Sequence, residues 1–295
     1  MHPATLIAAL KDHTPWYGKI AAKLVLARLP ISRAAWHRVR LFQSGDMHRP
    51  DYALGVFRSH FARSPFHSNG RPFSALELGP GRSLLSGLIA YAHGADHTYL
   101  IDVDNLATDD VNVYLETIAM LQNMGLRVPS LGTNPDVRTF LEWPMMTYSR
   151  DGLRDLRAIP ADSVDFSWSQ AVLEHVSREE IEPTLKELYR ITKRGGISSH
   201  NIDYSDHLAG ALNNLRFADR VWESSLVSSS GFYTNRIRPS EICSIAGGVG
   251  FEVEALLVAR WPQLPTDRRK MAPRFRAFDD DDLTIRGQDV LLRKA

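Results

Sequence analysis

The sequence has a single cysteine, no long apolar run and almost no net charge, and each shortage argues against a class of protein. Cys243 alone cannot form an internal disulfide or a cysteine cluster around a metal, which is typical of a reducing compartment. No apolar run reaches the roughly 20 residues of a membrane-spanning helix. The net charge of +1 gives no overall attraction to nucleic acid or to acidic partners. These features predict a soluble, cytoplasmic protein.

The chain of 295 residues is long enough for one large domain with an appendage. We predict an N-terminal helical cap and linker over residues 1–70 and a main domain over residues 71–295, in which residues 203–240 form an insertion on the substrate side. No long helix with one basic face is evident near the N-terminus, which favours a cap packed on the main domain over a helix pair on an anionic membrane. Weak membrane-surface contact stays open because basic residues are frequent there: Lys19, Lys23, Arg28, Arg33, Arg38 and Arg40.

Strand-like and helix-like segments alternate from residue 73 onward, which predicts an α/β fold with a parallel sheet covered on both faces. Seven strands are expected, at residues 75–78, 97–103, 145–149, 164–169, 196–202, 251–259 and 288–292. A capping box at Ser177 is expected to begin the helix after the fourth strand, and Asn105 to cap the helix after the second. A further helical segment is expected from Ser205 to Leu226.

The stretch SALELGPGRSL, residues 74–84, combines an apolar strand, a turn with glycines at positions 79 and 81, and a helix start. Such a turn lets a ligand approach the backbone, and the N-terminus of the helix attracts an anionic group. Many cofactors bind to a strand, glycine turn and helix in this order. The neighbouring residues must therefore identify the ligand.

Three neighbours of the glycine turn narrow the choice of ligand. Glu77 would repel a pyrophosphate but suits a ligand with an ammonium group. Leu84 stands where a dinucleotide fingerprint needs a small residue, which argues against NAD or FAD. Asp102, with Asp104 as the neighbouring alternative, follows about 20 residues later, where an acid can accept both ribose hydroxyls unless it caps a helix. A ligand with an amino-acid end, a ribose and an adenine fits this set, namely S-adenosylmethionine.

Several motifs resemble those of the class I S-adenosylmethionine-dependent methyltransferases. ELGPG and the following LIDVD resemble the first two motifs of this family, and DLRAIPADSVDFSWSQAVLEHV, residues 155–176, resembles the next two. LYRITKRGG, residues 188–196, is similar to the helix and turn before the family's fifth strand. The resemblance covers about residues 75–202. It implies a Rossmann-like, doubly wound, mostly parallel seven-stranded sheet and an enzyme that uses S-adenosylmethionine as cofactor.

The resemblance also implies which residues near the first two strands bind the cofactor. Glu77, Gly79 and Gly81 would line its methionine end, with the glycine N–H groups near the carboxylate. Asp102 would hold the ribose hydroxyls.

Four further residues receive cofactor-binding roles from the later motifs. Asp155 would bind the adenine amino group, and Leu156 would pack on the adenine ring. Ser169 and Gln170, at the end of the fourth strand, would face the methionine moiety.

Candidate catalytic residues cluster where the fourth and fifth strands end. His175 follows the fourth strand. His200 lies near the end of the fifth strand, and Asp203 and His207 follow that strand. Ligands of open α/β sheets bind beyond the carboxyl ends of the strands, and a hydroxyl acceptor needs a base, so we predict a His/Asp general base among these four. The alternative is that His175 and His200 are structural. A metal site of His200, Asp203 and His207 is disfavoured, and no metal is predicted, because magnesium sites rely on acid-rich ligand sets.

The predicted function is methyl transfer to a small-molecule or glycan acceptor, at oxygen in preference to nitrogen. An N-methyltransferase and a non-catalytic binding protein with the same fold are the alternatives. Balanced charge and the lack of a basic–aromatic stripe argue against a nucleic-acid partner. The sequence leaves the oligomeric state open. A sugar-like acceptor is favoured by polar and aromatic residues after the fifth strand: Tyr204, Asn213, Arg216, Trp222 and Tyr233.

Overall fold

The computed structural model describes residues 16–18, 20, 45–105, 107–208, 210–230 and 232–295. Two helices are expected before this main stretch, over residues 20–30 and 32–41, and of these only Ile20 lies within the described residues. The N-terminal cap, its basic surface and the boundary at residue 70 therefore stay predictions. Within the described residues, no helix combines the length and the apolar character needed to cross a membrane.

One seven-stranded sheet forms the centre of the described structure. Its strands are β1 (Phe73–Leu78), β2 (Ala95–Ile101), β3 (Met146–Ser149), β4 (Val164–Gln170), β5 (Thr192–Asp203), β6 (Glu252–Arg260) and β7 (Ile285–Arg293). The spatial order is β3-β2-β1-β4-β5-β7-β6. Strands β1 to β5 pair in parallel, and β7 runs antiparallel to both β5 and β6. The predicted seven-stranded, mostly parallel sheet is confirmed.

Helices cover both faces of this sheet. The helices are α1 (Pro50–Phe61), α2 (Phe66–Asn69), α3 (Leu85–Ala92), α4 (Val111–Asn123), α5 (Val137–Leu141), α6 (Leu153–Ala158), α7 (Ile181–Ile191), α8 (Asp219–Trp222), α9 (Ser225–Ser228), α10 (Pro239–Val249), α11 (Pro273–Arg276) and α12 (Asp280–Leu283). Apolar side chains of α1, α3 and α4 form one core with the sheet, and those of α6, α7 and α10 form the core on the opposite face.

Strand β4 is buried on both faces because its side chains alternate between these two cores. Phe166 and Trp168 pack against α1, where the ring of Phe57 lies 5.3 Å from that of Trp168, centroid to centroid. Ser167 and Ser169 point to the opposite face and are fully buried. Helix α1 is thus part of the layer that covers the sheet, since a strand with two buried faces needs a helix on each.

Two predicted helix starts are wrong. Helix α7 begins at Ile181, with Glu180 and not Ser177 in the N-cap position. Ser177 Oγ donates to the Glu180 side chain at 3.0 Å, and the Ile181 N–H donates to the Ser177 carbonyl at 3.1 Å. Helix α4 is capped by Asp110, whose side chain accepts from the backbone N–H of Asn112 at 3.1 Å. Asn105 cannot be that cap because a longer connection separates it from the helix.

The single helix expected from Ser205 to Leu226 is also wrong. A 3-10 turn, Asn213–Arg216, and the short helices α8 and α9 take its place in the described residues. Asp206 is the physical cause, because its buried carboxylate accepts from the backbone N–H groups of Leu208 at 3.2 Å and of Asn213 at 2.7 Å. Side-chain acceptance of this kind competes with a continuous helix.

A buried polar network joins α1 to β4, β5 and β7. Its members are His60, Arg63, Gln170, Ser199, Asn201 and Asp289. The His60 ring contacts Ser199 Oγ at 2.8 Å through Nδ1 and Gln170 Oε1 at 3.1 Å through Nε2. An amide oxygen can only accept, so Nε2 carries the proton and Nδ1 accepts from the hydroxyl. Burial lowers the pKa of His60 to about 4, which keeps the ring neutral.

The pKa of His60 is about 4 in the folded chain and 6.5 ordinarily, so the unfolded chain binds a proton at a higher pH than the folded chain does. The free energy of unfolding therefore decreases as the pH falls through this range. We therefore expect the wild type to lose about 2 kcal/mol relative to His60→Gln between about pH 7.5 and about pH 5, because glutamine cannot be protonated. Urea unfolding of both proteins at the two pH values measures this. An equal difference in unfolding free energy at both pH values would contradict it.

Candidate active site

The glycine turn after β1 is tied to the end of β2 by two backbone donors. Gly79 and Gly81 both have φ of 67°, a left-handed conformation that favours glycine. The Gly79 N–H donates to the carbonyl of Ile101 at 2.8 Å, and the Gly81 N–H donates to Asp102 Oδ2 at 3.1 Å. A Cβ on Gly79 would lie 2.5 Å from Val172 Cγ2, whereas a Cβ on Gly81 would meet no atom of the described residues within 4 Å. Gly81 is therefore the position that a ligand can approach.

Asp102 is nearly buried and directed at this turn. Its Oδ1 accepts from the backbone N–H of Val103 at 2.7 Å, and its Oδ2 accepts from Gly81. Burial raises its pKa, and the backbone donors oppose that shift. A carboxylate has about four acceptor positions, so the backbone donors around Asp102 do not use all of them. Asp104 accepts from the N–H of the next residue, Asn105, at 2.8 Å, whereas Asp102 is bound to the glycine turn, so Asp102 is the better candidate of the two.

Glu77 lies below the turn, on the face covered by α1 and α3. Its Oε1 accepts from Trp168 Nε1 at 3.0 Å, and its Oε2 accepts from the hydroxyl of Ser86. Burial raises its pKa to about 7. Both oxygens thus have protein partners, and the carboxyl group connects β1, β4 and α3. Its predicted contact with the methionine end of the cofactor stays a prediction.

The residues assigned to the adenine lie next to Asp102. The backbone N–H of Gly152, just before α6, donates to the carbonyl of Asp102 at 3.0 Å. Asp155 Oδ2 accepts from the N–H of Asp151 at 2.6 Å, which orders the first turn of α6. Leu156 is 1% exposed within the core. The structure thus brings the ribose and adenine candidates to one edge of the sheet, while their contacts with the cofactor stay predictions.

Ser169 and Gln170 face opposite sides of the sheet, and His200 belongs with Ser169. The Nδ1 of His200 is 2.7 Å from Ser169 Oγ, and its Nε2 is 2.6 Å from Ser198 Oγ. His200 is fully buried, and burial lowers its pKa to about 3. Both ring nitrogens are occupied inside the core, so this arrangement favours the structural alternative for His200. Gln170 points toward α1, where it meets His60.

The other three catalytic candidates do come together. The rings of His175 and His207 lie 4.8 Å apart, and His207 Nε2 is 3.8 Å from Asp203 Oδ2. His175 donates from Nδ1 to the carbonyl of Tyr233 at 3.0 Å, which leaves the lone pair on Nε2. Protein atoms packed around the ring, and then His207, lower the pKa of His175 to about 4. His175 is thus a neutral ring with a fixed tautomer.

Glu174 belongs to the same group and was missed in the sequence. It is 3% exposed; its Oε1 accepts from the backbone N–H of Asp203 at 3.3 Å, and its Oε2 has no hydrogen-bond partner in the part of the chain that the structure describes. Burial raises its pKa to about 8. The available signal was an acidic residue directly before His175, between the apolar residues Leu173 and Val176.

The segment after β5 packs beside these residues and forms a small core of its own. Trp16 and Ile20 contact this core, and the ring of Trp16 is 6.0 Å from that of Phe217. The members of the core are Leu208, Trp222, Val227, Phe232 and Tyr233. Trp222 is buried and donates to the Thr234 carbonyl, so it is not free to bind a sugar. Tyr204 and Asn213 are buried as well, which removes most of the aromatic and polar lining expected for a sugar-like acceptor.

Comparison with known proteins links the chain to methyltransferases. A family model described as a methyltransferase domain matches residues 133–199. Similar solved structures include a SAM-dependent methyltransferase of Archaeoglobus fulgidus, with 11% identity, a TM-score of 0.47 and coverage of 83% of this chain and 94% of that one. A putative S-adenosylmethionine-dependent methyltransferase of Listeria monocytogenes has 16% identity, a TM-score of 0.44 and coverage of 82% and 99%.

A third similar structure is a phosphoethanolamine N-methyltransferase of Haemonchus contortus in complex with phosphomonomethylethanolamine and S-adenosylhomocysteine. It has 14% identity and a TM-score of 0.45, with coverage of 83% of this chain and 52% of that one. No curated protein matches the sequence.

The methyltransferase-domain match over residues 133–199, the seven-stranded sheet and the glycine turn agree with the methyltransferase resemblance of the sequence, which implies S-adenosylmethionine as the cofactor. The residues present fit that cofactor, because the described residues leave open space beside Gly81 and the Asp102 carboxylate is bound to the same turn. When bound, the cofactor supplies a methyl group on a positively charged sulfur. The protein chain binds the cofactor and orients it toward the acceptor.

We expect Gly79→Ala to destabilise the fold more than Gly81→Ala. Both substitutions place alanine in a left-handed conformation, which destabilises the fold by roughly 1–2 kcal/mol. Only Gly79→Ala also places a Cβ against Val172, and this contact should destabilise the fold by about 1–3 kcal/mol more. Thermal unfolding of each variant measures the difference. The double variant Gly79→Ala/Val172→Ala should recover part of the loss, and equal losses for the two single variants would contradict the close contact.

We expect Asp102→Asn to weaken binding of S-adenosylhomocysteine by roughly 10- to 100-fold, because the amide loses the charge and half of the acceptor capacity. Calorimetric titration measures the affinity. The neighbouring Asp104→Asn is the matched control and should bind nearly as well as the wild type. If Asp104→Asn loses the affinity and Asp102→Asn retains it, the assignment of the ribose contact is wrong.

Proposed function

We propose that the protein transfers the methyl group of S-adenosylmethionine to a hydroxyl oxygen of a small molecule or glycan. The observation that carries the proposal is the meeting of His175, Asp203 and His207 where β4 and β5 end. In open α/β sheets this edge is where ligands bind. A hydroxyl acceptor needs a group that takes its proton, whereas an amine need only arrive neutral. A histidine and aspartate cluster at this edge therefore suits an oxygen acceptor.

The cluster is adjacent to the glycine turn along the sheet. Strands β1 and β4 are neighbours, with Leu78 opposite Ser169, so the segments that follow them leave the sheet side by side. Gly79 packs against Val172, and the carbonyl of Val172 accepts from the N–H of His175 at 2.8 Å. Two short contacts thus connect the proposed methionine end to the first member of the cluster.

The proposed step uses only a few groups of the chain. Gly81 and Asp102 would hold the cofactor. Asp203, beside His207, would take the proton of the acceptor hydroxyl. The bound cofactor would supply its methyl group to that oxygen and would itself become a neutral thioether, which keeps the electron pair of the broken carbon–sulfur bond. Alignment of the reacting atoms and proton removal are the two contributions of the protein.

We expect Asp203→Asn to lower kcat by roughly 10²- to 10⁴-fold for a hydroxyl acceptor, because the amide cannot take a proton. Transfer from methyl-labelled S-adenosylmethionine to parallel panels of hydroxylated molecules, including monosaccharides, and of amines measures this. Calorimetry with S-adenosylhomocysteine should show unchanged binding in the variant.

The matched control is Asp104→Asn, an aspartate substitution outside the cluster, which should keep kcat near that of the wild type. Methylation of amines alone would contradict an oxygen acceptor, and full activity of Asp203→Asn would contradict its role. Cofactor binding with no transfer to either panel would favour the alternative of a binding protein on the methyltransferase fold.

A further inference from the structure

Three potential metal ligands lie close together at the end of β4. Glu174, His175 and His207 each offer one ligand atom, and these atoms all lie within 4.8 Å of one another. Such spacing allows one ion to contact all three after small side-chain movements, since metal–ligand distances to nitrogen and oxygen are about 2.0–2.2 Å.

The environment of Glu174 gives an independent reason for a positively charged partner. The residue is 3% exposed, and its Oε2 has no hydrogen-bond partner among the described residues. Asp203, an acidic neighbour, donates its backbone N–H to the other oxygen. A buried carboxyl group without a full set of partners is costly, and a bound cation is one way to compensate it.

The orientation of His175 is typical of a metal ligand. Metal-binding histidines normally donate the N–H of their second nitrogen to a carbonyl or a carboxylate, which fixes the ring and its tautomer. His175 donates from Nδ1 to the Tyr233 carbonyl at 3.0 Å and therefore has its lone pair on Nε2. His207 lies against this ring, with Asp203 3.8 Å from its Nε2.

We propose that Glu174, His175 and His207 bind one divalent transition-metal ion of the zinc type. Two imidazoles and one carboxylate suit Zn²⁺ and its neighbours in the first transition row, whereas Mg²⁺ and Ca²⁺ prefer sets of oxygen ligands. Three protein ligands leave a fourth position open, which is the pattern of catalytic and not of structural zinc sites. His200, expected in a metal alternative from the sequence, lies apart from this group inside the core.

The effect of this ion on catalysis rests on the proposed function. A hydroxyl at the open position would lose its proton more readily, because a bound divalent ion lowers the pKa of a coordinated oxygen acid. His175 and His207 then serve as ligands, and Asp203 remains the group that takes the proton. Metal binding itself needs neither acceptor nor cofactor, so it can be measured separately.

The test is titration of chelator-treated, tag-free protein with Zn²⁺ by calorimetry, and with Co²⁺ by visible absorption, which reports ligand geometry. We expect one equivalent to bind to the wild type, and Mg²⁺ not to compete.

Glu174→Gln keeps the side-chain shape but loses the charge, and His207→Asn removes one imidazole. Each substitution should weaken Zn²⁺ binding by at least about 100-fold. Loss of a residue that only hydrogen-bonds to a ligand typically weakens metal binding by about 10- to 100-fold, and loss of a direct ligand should weaken it more. His97→Asn, on β2 beside Thr147, is the matched control and should bind like the wild type.

Thermal unfolding without metal checks that the variants are folded. The proposal is overturned if the wild type binds no Zn²⁺ or Co²⁺, or if Glu174→Gln binds them equally well; a proton or a buried water then satisfies Glu174. Zn²⁺ binding without methylation of any hydroxyl supports the metal site and contradicts the proposed function. Methylation that persists in chelator with no bound metal supports the proposed function and contradicts a catalytic ion.

Discussion

The arrangement of the candidate site depends on Asp102, which joins four segments at the carboxyl edge of the sheet. Its side chain accepts from Gly81 and thereby ties the glycine turn after β1 to the end of β2. Its backbone N–H donates to the carbonyl of Ser149 at 2.9 Å, at the end of β3, and its carbonyl accepts from Gly152, at the start of α6. One residue thus sets the relative positions of the methionine, ribose and adenine candidates. A carboxylate has about four acceptor positions, so it can accept these backbone donors and still bind a ligand.

Buried polar groups determine how the layers around the sheet are held. Glu77 connects β1 to Trp168 of β4 and to Ser86 of α3, and His60 connects α1 to β4 and β5. Each of these groups is paired, since an unpaired polar group in the core would cost about 1–3 kcal/mol. Their opposite pKa shifts have one cause, because burial disfavours the charged form of an acid and of a base alike. Such satisfied networks favour a single packing of helix on sheet.

The groups beyond β4 and β5 are paired less completely. His175 has a fixed tautomer and Asp203 lies beside His207, but one buried oxygen of Glu174 has no partner among the described residues. This incomplete pairing contrasts with the core around His200, where both ring nitrogens have hydroxyl partners. The contrast distinguishes His200, paired on both sides inside the core, from His175 and His207, whose roles in catalysis are proposals.

The sequence by itself determined the alternation of strands and helices and the glycine turn, and it pointed to Asp102 with Asp104 as the alternative, because these depend on local patterns of apolar residues and on short motif spacings. Only the tertiary structure decided which groups Glu77, Glu174 and His200 contact. Glu77 meets Trp168, 91 positions away, and His200 meets Ser169, 31 positions away. The face of a strand on which a side chain lies, and the distant group that it meets there, depend on register and packing between segments, which no local pattern contains.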